Sequence, residues 1–422
     1  MNSNLVPPTP ATSRGNGTSR FVADRAGDPD VPLPEDLIDQ VRGDLARRGG
    51  PPTPARVAQA LRARGSLLGD HAVLAIAEQL GRELTGAGVL TPLLADPAVT
   101  DVLVHGPGRA FVDRGRGLEP VDMRLPDEAA VRRLATRLAA LAGRRLDDAH
   151  PYVDARLPTG ERLHAVLQPI SRHGTAISVR IPARRSFGLA ELVAAGTMPT
   201  DLAGLLADVV AASLPLLICG GTGSGKTTLL AALLALVPGD QRLVIVEDST
   251  ELMPDHPHVV HLESRPPNAE GVGEITVRTL VRQALRMRPD RLVVGEVRGA
   301  EVVDLLAACN TGHEGGCGTV HANGAAQVPA RMEALGVAAG LDRQAVHSQL
   351  AAAIEVVVAM RRGADGSRLV DSVSVLTMDS TALVRCLPAV TCPGDGRTLL
   401  GPGADILDDL LSERLPGRAP RP

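Results

Sequence analysis

Leu214-Pro-Leu-Leu-Ile-Cys-Gly-Gly-Thr-Gly-Ser-Gly-Lys-Thr-Thr228 decides how this chain is read. The apolar run Leu214 to Ile218 predicts a buried parallel strand, and Leu229 to Leu234 predicts the start of a helix. Between them, Gly220-x-x-x-x-Gly225-Lys226-Thr227 has the spacing of a phosphate-binding loop. Glycines let backbone N–H groups converge on an anion, and the helix behind adds its positive dipole end. The candidate cradle is Gly220, Gly221, Thr222, Gly223, Ser224, Gly225, Lys226, Thr227 and Thr228. Lys226 is expected on the β/γ-phosphates and the Thr227 hydroxyl on Mg²⁺. A Gly-rich turn that binds nothing is the bland alternative. Against it, Lys226 is the only lysine in the chain, and a compact ammonium is not interchangeable with a guanidinium.

Such a loop needs acids to hold Mg²⁺ and orient water. Two apolar strands end in candidates. Val244-Ile-Val-Glu247-Asp248-Ser-Thr-Glu251 collects three carboxylates, and Arg291-Leu-Val-Val-Gly-Glu296-Val-Arg298 brings Glu296 after three apolar residues and a glycine. Ordinary salt-bridged acids are the competing explanation. Thr311-Gly-His313-Glu-Gly-Gly-Cys-Gly-Thr319-Val-His321-Ala-Asn323 is a second Gly-rich segment, in which one histidine could sense a γ-phosphate. Zinc is a weaker reading, because His313, Cys317 and His321 have no standard ligand spacing. Arg278, Arg282, Arg286 and Arg288 recur at near-helical spacing, which ordinarily marks a solvated face.

Outward from this core, apolar strands alternate with helices, predicting an α/β domain over 184–380 with a parallel sheet covered on both faces. One helix is expected over about 191–210 and a late hairpin over 354–377. Upstream, strands around the turn Gly106-Pro-Gly108, a helix from Pro126 and three further strands predict a smaller α+β domain over 89–183. Its strands carry Arg162 and Arg180. A helical segment is expected over 33–88, a disordered tail over 1–32, and a flexible Gly/Pro-rich tail with one short helix over 381–422.

Composition narrows the function classes. Net charge is −4, and Phe21, Phe111, Tyr152 and Phe187 are the only aromatics, which argues against a base-stacking platform and a direct nucleic-acid partner. Five cysteines without Cys-x-x-Cys spacing argue against a disulfide framework and fit a reducing cytosol. No apolar run reaches membrane-span length, so any membrane association is expected to be peripheral.

These segments together resemble the type II/IV secretion ATPases, in particular the CpaF-like ATPases of Tad (tight adherence) pilus systems. The resemblance covers roughly residues 85 to 375. It rests on Leu93-Leu-Ala-Asp-Pro-Ala-Val-Thr-Asp101, Leu157-Pro-Thr-Gly-Glu-Arg-Leu-His164, Gly220 to Thr228, Glu247 to Leu252, Leu285 to Glu301 and Thr311 to Asn323, in that order. It implies a RecA-like P-loop NTPase domain behind the α+β domain, with ATP and Mg²⁺ as cofactors. It implies an acidic box at Glu247, Asp248 and Glu251, a Walker B glutamate at Glu296 and a histidine box ending at His321. It also suggests that Arg162 and Arg180 reach the phosphates. The implied catalytic set is therefore Glu296, Lys226, Glu247, His321, Arg162 and Arg180, with Mg²⁺ on Thr227, Glu296 and Glu247. A homohexamer is implied, cytoplasmic and peripheral at the inner membrane, working on a polytopic platform protein in pilus assembly or secretion. The alternative is a conjugal DNA-transfer ATPase or nucleic-acid motor. Gly316-Cys317-Gly318 departs from the Ser/Thr/Leu-rich form of the histidine box, and a tetracysteine zinc element is absent from the sequence.

Overall fold

The computed structural model describes residues 87–417 except 116, 124, 183–185, 268–270, 313–314, 364 and 395, and before them only 41, 44, 55, 56, 59 and 60. The expected tail over 1–32 and His313 lie outside the described residues. So does the expected segment over 33–88, apart from those six positions, which are helical, and Ala87 and Gly88 at its end. The chain divides into two units, Met1–Pro182 and Ala183–Pro422.

In the first unit, α1 (Thr91–Ala95) precedes β1 (Asp101–His105), β2 (Ala110–Asp113) and β3 (Leu118–Val121). Then come α2 (Glu128–Leu141), β4 (Tyr152–Arg156), β5 (Arg162–Val166) and β6 (Ala176–Arg180). The strands form one antiparallel sheet in the order β3-β2-β1-β6-β5-β4. Period-2 alternation buries Val102 and Val104 of β1, Leu163 and Ala165 of β5, and Ile177 and Val179 of β6. α2 starts where the Asp127 carboxylate accepts the Ala130 N–H, and Val131, Leu134, Ala135 and Leu138 join the same core. β3, which has no apolar alternation to mark it in the sequence, is short, mostly exposed and carries Pro120, features tolerated on an edge strand.

In the second unit the expected single helix is two, α3 (Leu189–Ala194) and α4 (Thr200–Ala211). Gly196, at φ +74°, and Pro199 separate them. Then follow β7 (Leu216–Gly220), α5 (Lys226–Leu234), β8 (Leu243–Glu247), β9 (Val259–Glu263), α6 (Val277–Ala284), β10 (Arg291–Val297), α7 (Glu301–Cys309) and β11 (Cys317–Val320). The chain continues through α8 (Val328–Ala338), α9 (Arg343–Ala353), β12 (Val356–Arg362), β13 (Arg368–Met378), β14 (Val384–Thr391), β15 (Leu399–Leu400) and α10 (Ala404–Arg414). The nine-stranded sheet runs β15-β14-β13-β12-β7-β11-β10-β8-β9. From β12 to β9 all pairings are parallel, and the β13, β14 and β15 pairings are antiparallel.

Strand β7 is buried throughout, and its side chains feed two apolar cores. Leu216 and Ile218 join α4, α5 and α10 on one face, while Leu217 and Cys219 join α6, α7, α8 and α9 on the other. Two of the four stripe arginines are not simply solvated: the Nε atoms of Arg278 and Arg282 each donate to Asp304 of α7 at 2.7 Å, tying α6 to α7. None of the five cysteines forms a disulfide, and burial pushes the Cys219, Cys309, Cys317 and Cys386 thiols up to about 12. No described helix is long and apolar enough to cross a membrane.

The flexible tail expected from 381 is corrected by the structure. Residues 384–414 continue the sheet with two strands and dock α10, whose Leu407 and Leu411 are fully buried against the α4/α5 core. Arg414 adds an ion pair to Glu355 and a hydrogen bond to the Ser213 carbonyl. Leu407→Ala should therefore destabilise this unit by about 2–5 kcal/mol, the range for emptying a buried leucine site. Denaturant unfolding measures it, and parental stability would mean that α10 does not dock.

Candidate functional site

The site is built where β7 ends. Flanked on both sides by parallel strands, β7 delivers the chain into Gly220 at the carboxyl edge of the sheet. Gly220 has φ +155°, and a Cβ there would lie 2.5 Å from the Met360 carbonyl oxygen. Gly225 has φ +94° and caps α5, with Arg368 and Met360 packed over it. Larger residues fit neither position, which is the physical content of the glycine spacing. Gly221, Thr222 and Gly223 are exposed, while Ser224 is buried and its hydroxyl donates to the Gly221 carbonyl at 2.9 Å.

Lys226 opens α5 and is only 7% exposed. Its ammonium donates to the Gly220 carbonyl at 3.0 Å and to that of Gly221 at 2.9 Å, so the charge is held within the loop. Burial pulls its pKa below the usual lysine range, opposed by the negative charges of Glu296 and Glu251. Lys226, Glu296 and Glu251 thus form one electrostatic group.

Glu296 stands near the end of β10, and His321 immediately follows β11, its parallel neighbour. His321 Nε2 lies 3.3 Å from Glu296 Oε1, both side chains about one-third exposed. Burial and the Lys226 ammonium hold the imidazole below the usual histidine range, against the pull of Glu296. Between them, the Thr319 hydroxyl donates to the Gly295 carbonyl at 2.6 Å and locks the two strands together.

The other acids of these segments have structural duties. Glu247 does not face outward: its Oε1 accepts the Glu251 and Leu252 N–H groups, each at 3.1 Å, and shapes the loop after β8. Its stem runs under Gly295, where a Cβ would meet Glu247 Cγ at 2.5 Å. Gly295 is therefore a glycine to admit Glu247. Asp248 pairs with Arg298, and Glu301 accepts the Arg298 and Gly299 N–H groups at the start of α7. The expectation of Glu247 as a Mg²⁺ ligand thus meets a buried carboxyl already engaged by backbone.

Burial pushes the Glu247 carboxyl up to about 7. The native state then binds the proton more tightly than the unfolded chain, whose carboxyl titrates at the ordinary glutamate value of 4.5. Its contribution to stability falls as pH rises from 4.5 to about 7 and stays low above that. Glu247→Gln, which keeps the acceptor without the charge, should gain up to about 3 kcal/mol at pH 8 and little at pH 4.5. Unfolding at the two pH values checks this, and an equal effect at both would refute it.

Among the described residues no group of three His, Cys, Asp or Glu could hold a metal by itself. Mg²⁺ takes one or two protein oxygens and completes its shell with phosphate and water. Arg162 and Arg180 belong to the first unit, where they are opposed on β5 and β6. Arg162 makes a two-point pair with Asp154, and Arg180 Nε lies 3.0 Å from Asp101. Two arginines beside the loop, Arg362 and Arg368, escaped the motif reading because nothing local in the hairpin marks them.

The family described as "Type II/IV secretion system protein" matches residues 83–381. A protein of Mycobacterium tuberculosis (strain ATCC 25618 / H37Rv), described as a putative conjugal transfer protein, is 58% identical over 317 residues, covering 74% of this chain and 90% of its own length. The type IV secretion system protein VirB11 of Brucella suis biovar 1 (strain 1330) is 33% identical over 259 residues, 55% of this chain and 72% of the relative. The X-ray structure of the Yersinia pseudotuberculosis ATPase DotB superposes with a TM-score of 0.50 at 17% identity, over 77% of this chain and 81% of that one, a likeness of fold.

Proposed function

Because the chain belongs to the type II/IV secretion system protein family, we propose that its second unit hydrolyses ATP with Mg²⁺ and powers transport by a membrane-bound secretion or pilus machine. The observation that carries this reading is the convergence of three strand ends: Lys226 after β7, Glu296 on β10 and His321 after β11. Backbone N–H groups of Gly221 to Thr228 would hold the β/γ-phosphates, and Lys226 would neutralise their charge. Thr227 and Glu296 would hold Mg²⁺, which when bound supplies further neutralisation of the phosphate oxygens. Glu296 would orient the attacking water. His321, its pKa held below the usual histidine range by burial and the Lys226 ammonium, would hydrogen-bond the γ-phosphate region and report its presence to the β10–β11 pair. Glu247 acts as a positioning residue that holds the Glu251 loop.

The finer assignment is Tad-type pilus assembly or protein secretion, by a homohexamer at the cytoplasmic face of the inner membrane with a polytopic platform as partner. A second reading, conjugal transfer, is favoured by the description of the 58%-identical relative. The net charge of −4 and the scarcity of aromatics favour a motor that does not itself track DNA. The test is phosphate release from ATP by the full chain with and without Mg²⁺, alongside Lys226→Ala. The reading requires release that depends on both. Strong, salt-sensitive stimulation by single-stranded DNA would instead favour the nucleic-acid motor.

A further inference from the structure

The hairpin β12–β13 brings two arginines to the phosphate loop. Arg362 ends β12 and Arg368 begins β13, and they face each other as register partners. They share the sheet face of Met360 and Val370, which lie two residues earlier and later and enter the α4/α5 core. That face leads onto the loop. A Cβ on Gly223 would lie 3.8 Å from Arg362 Nη1, and one on Gly225 would lie 3.2 Å from Arg368 Cδ.

Among the described residues neither Arg362 nor Arg368 has a carboxylate partner, whereas the adjacent Arg361, on the opposite face, pairs with Asp371 and donates to the Pro393 carbonyl. Like charges directly opposite in an antiparallel pair are destabilising. Placed over exposed Gly223 at the edge of an anion cradle, the same two guanidinium groups would gain charge-assisted hydrogen bonds from a polyphosphate.

We propose that Arg362 and Arg368 clasp the polyphosphate chain of the bound nucleotide, making the β12–β13 hairpin a second cationic wall of the site. This rests on the ATPase reading above and adds to it residues that the loop pattern does not contain. Neither arginine is needed for the fold, since both side chains are exposed.

The experiment is equilibrium binding of a fluorescent ATP analogue to the full chain, with inorganic tripolyphosphate as competitor. The proteins are the parent, Arg362→Ala, Arg362→Lys, Arg368→Ala and Lys226→Ala. Arg362→Ala and Arg368→Ala should each weaken both ATP and tripolyphosphate about tenfold, the scale of one charge-assisted contact, with melting temperatures unchanged. Arg362→Lys should recover part of the loss, which a merely structural role would not require. Parental affinity in both alanine variants would overturn the proposal. So would weakened ATP binding with unchanged tripolyphosphate competition, since the contact would then be to the nucleoside. If Lys226→Ala loses ATP while the arginine variants do not, this inference alone fails. If Lys226→Ala binds as the parent does, the underlying reading of the loop fails.

Discussion

Lys226→Ala should abolish ATP turnover, lowering it by about 10³-fold or more, and should reduce nucleotide binding to background. The expectation follows from geometry and composition together. The Lys226 ammonium is held in the loop by the Gly220 and Gly221 carbonyls, and no other lysine exists in the chain to take its place. Lys226→Arg should not rescue, because the larger planar group does not fit where a buried point charge sits between two carbonyls. A melting curve separates this from unfolding, since the buried neighbours on α5 are apolar and keep their packing. Hydrolysis by Lys226→Ala at the parental rate would remove the loop from the mechanism.

Glu296→Gln should behave differently: nucleotide binding retained, turnover reduced by about 10²–10⁴-fold, the scale of losing one acid–base group. An amide of the same shape can still hydrogen-bond His321 Nε2, so the β10–β11 edge keeps its arrangement. What is lost is the negative charge that acts on Lys226 and would orient water. Rapid-mixing measurement of the chemical step, beside a binding titration, separates the two effects. Equal loss of binding and turnover would make Glu296 a binding residue, and unchanged turnover would remove it from catalysis.

Two segments owe their roles to contacts that their own residues do not reveal. Glu247 and Glu296 look alike in the chain, each a carboxylate after an apolar strand. β8 and β10 are neighbours in the sheet, and the missing side chain of Gly295 gives Glu247 a place to fold under. One acid is thereby buried and the other left at the edge. The residues after 381 looked like a tail because they are rich in glycine and proline. Gly401 and Gly403 in fact mark close backbone approach: a Cβ at either would lie within 2.7 Å of a β14 carbonyl oxygen. The same glycine signal denotes flexibility in one place and tight packing in another, and only the partner distinguishes them.

The sequence by itself determined the strand–loop–helix unit from Leu216 to Leu234, the late hairpin and the alternating elements of the second unit. These depend on local spacing: glycines five apart, apolar runs of strand length, and turn residues between them. Only the tertiary structure decided which charged groups meet. The pairing of Glu296 with His321, the burial of Glu247, and the approach of Arg362 and Arg368 to Gly223 and Gly225 all depend on strand order across the sheet. Contacts between residues 25 to about 140 positions apart leave no periodic trace in the chain, because the sheet, not the neighbouring residue, brings them within a few ångströms.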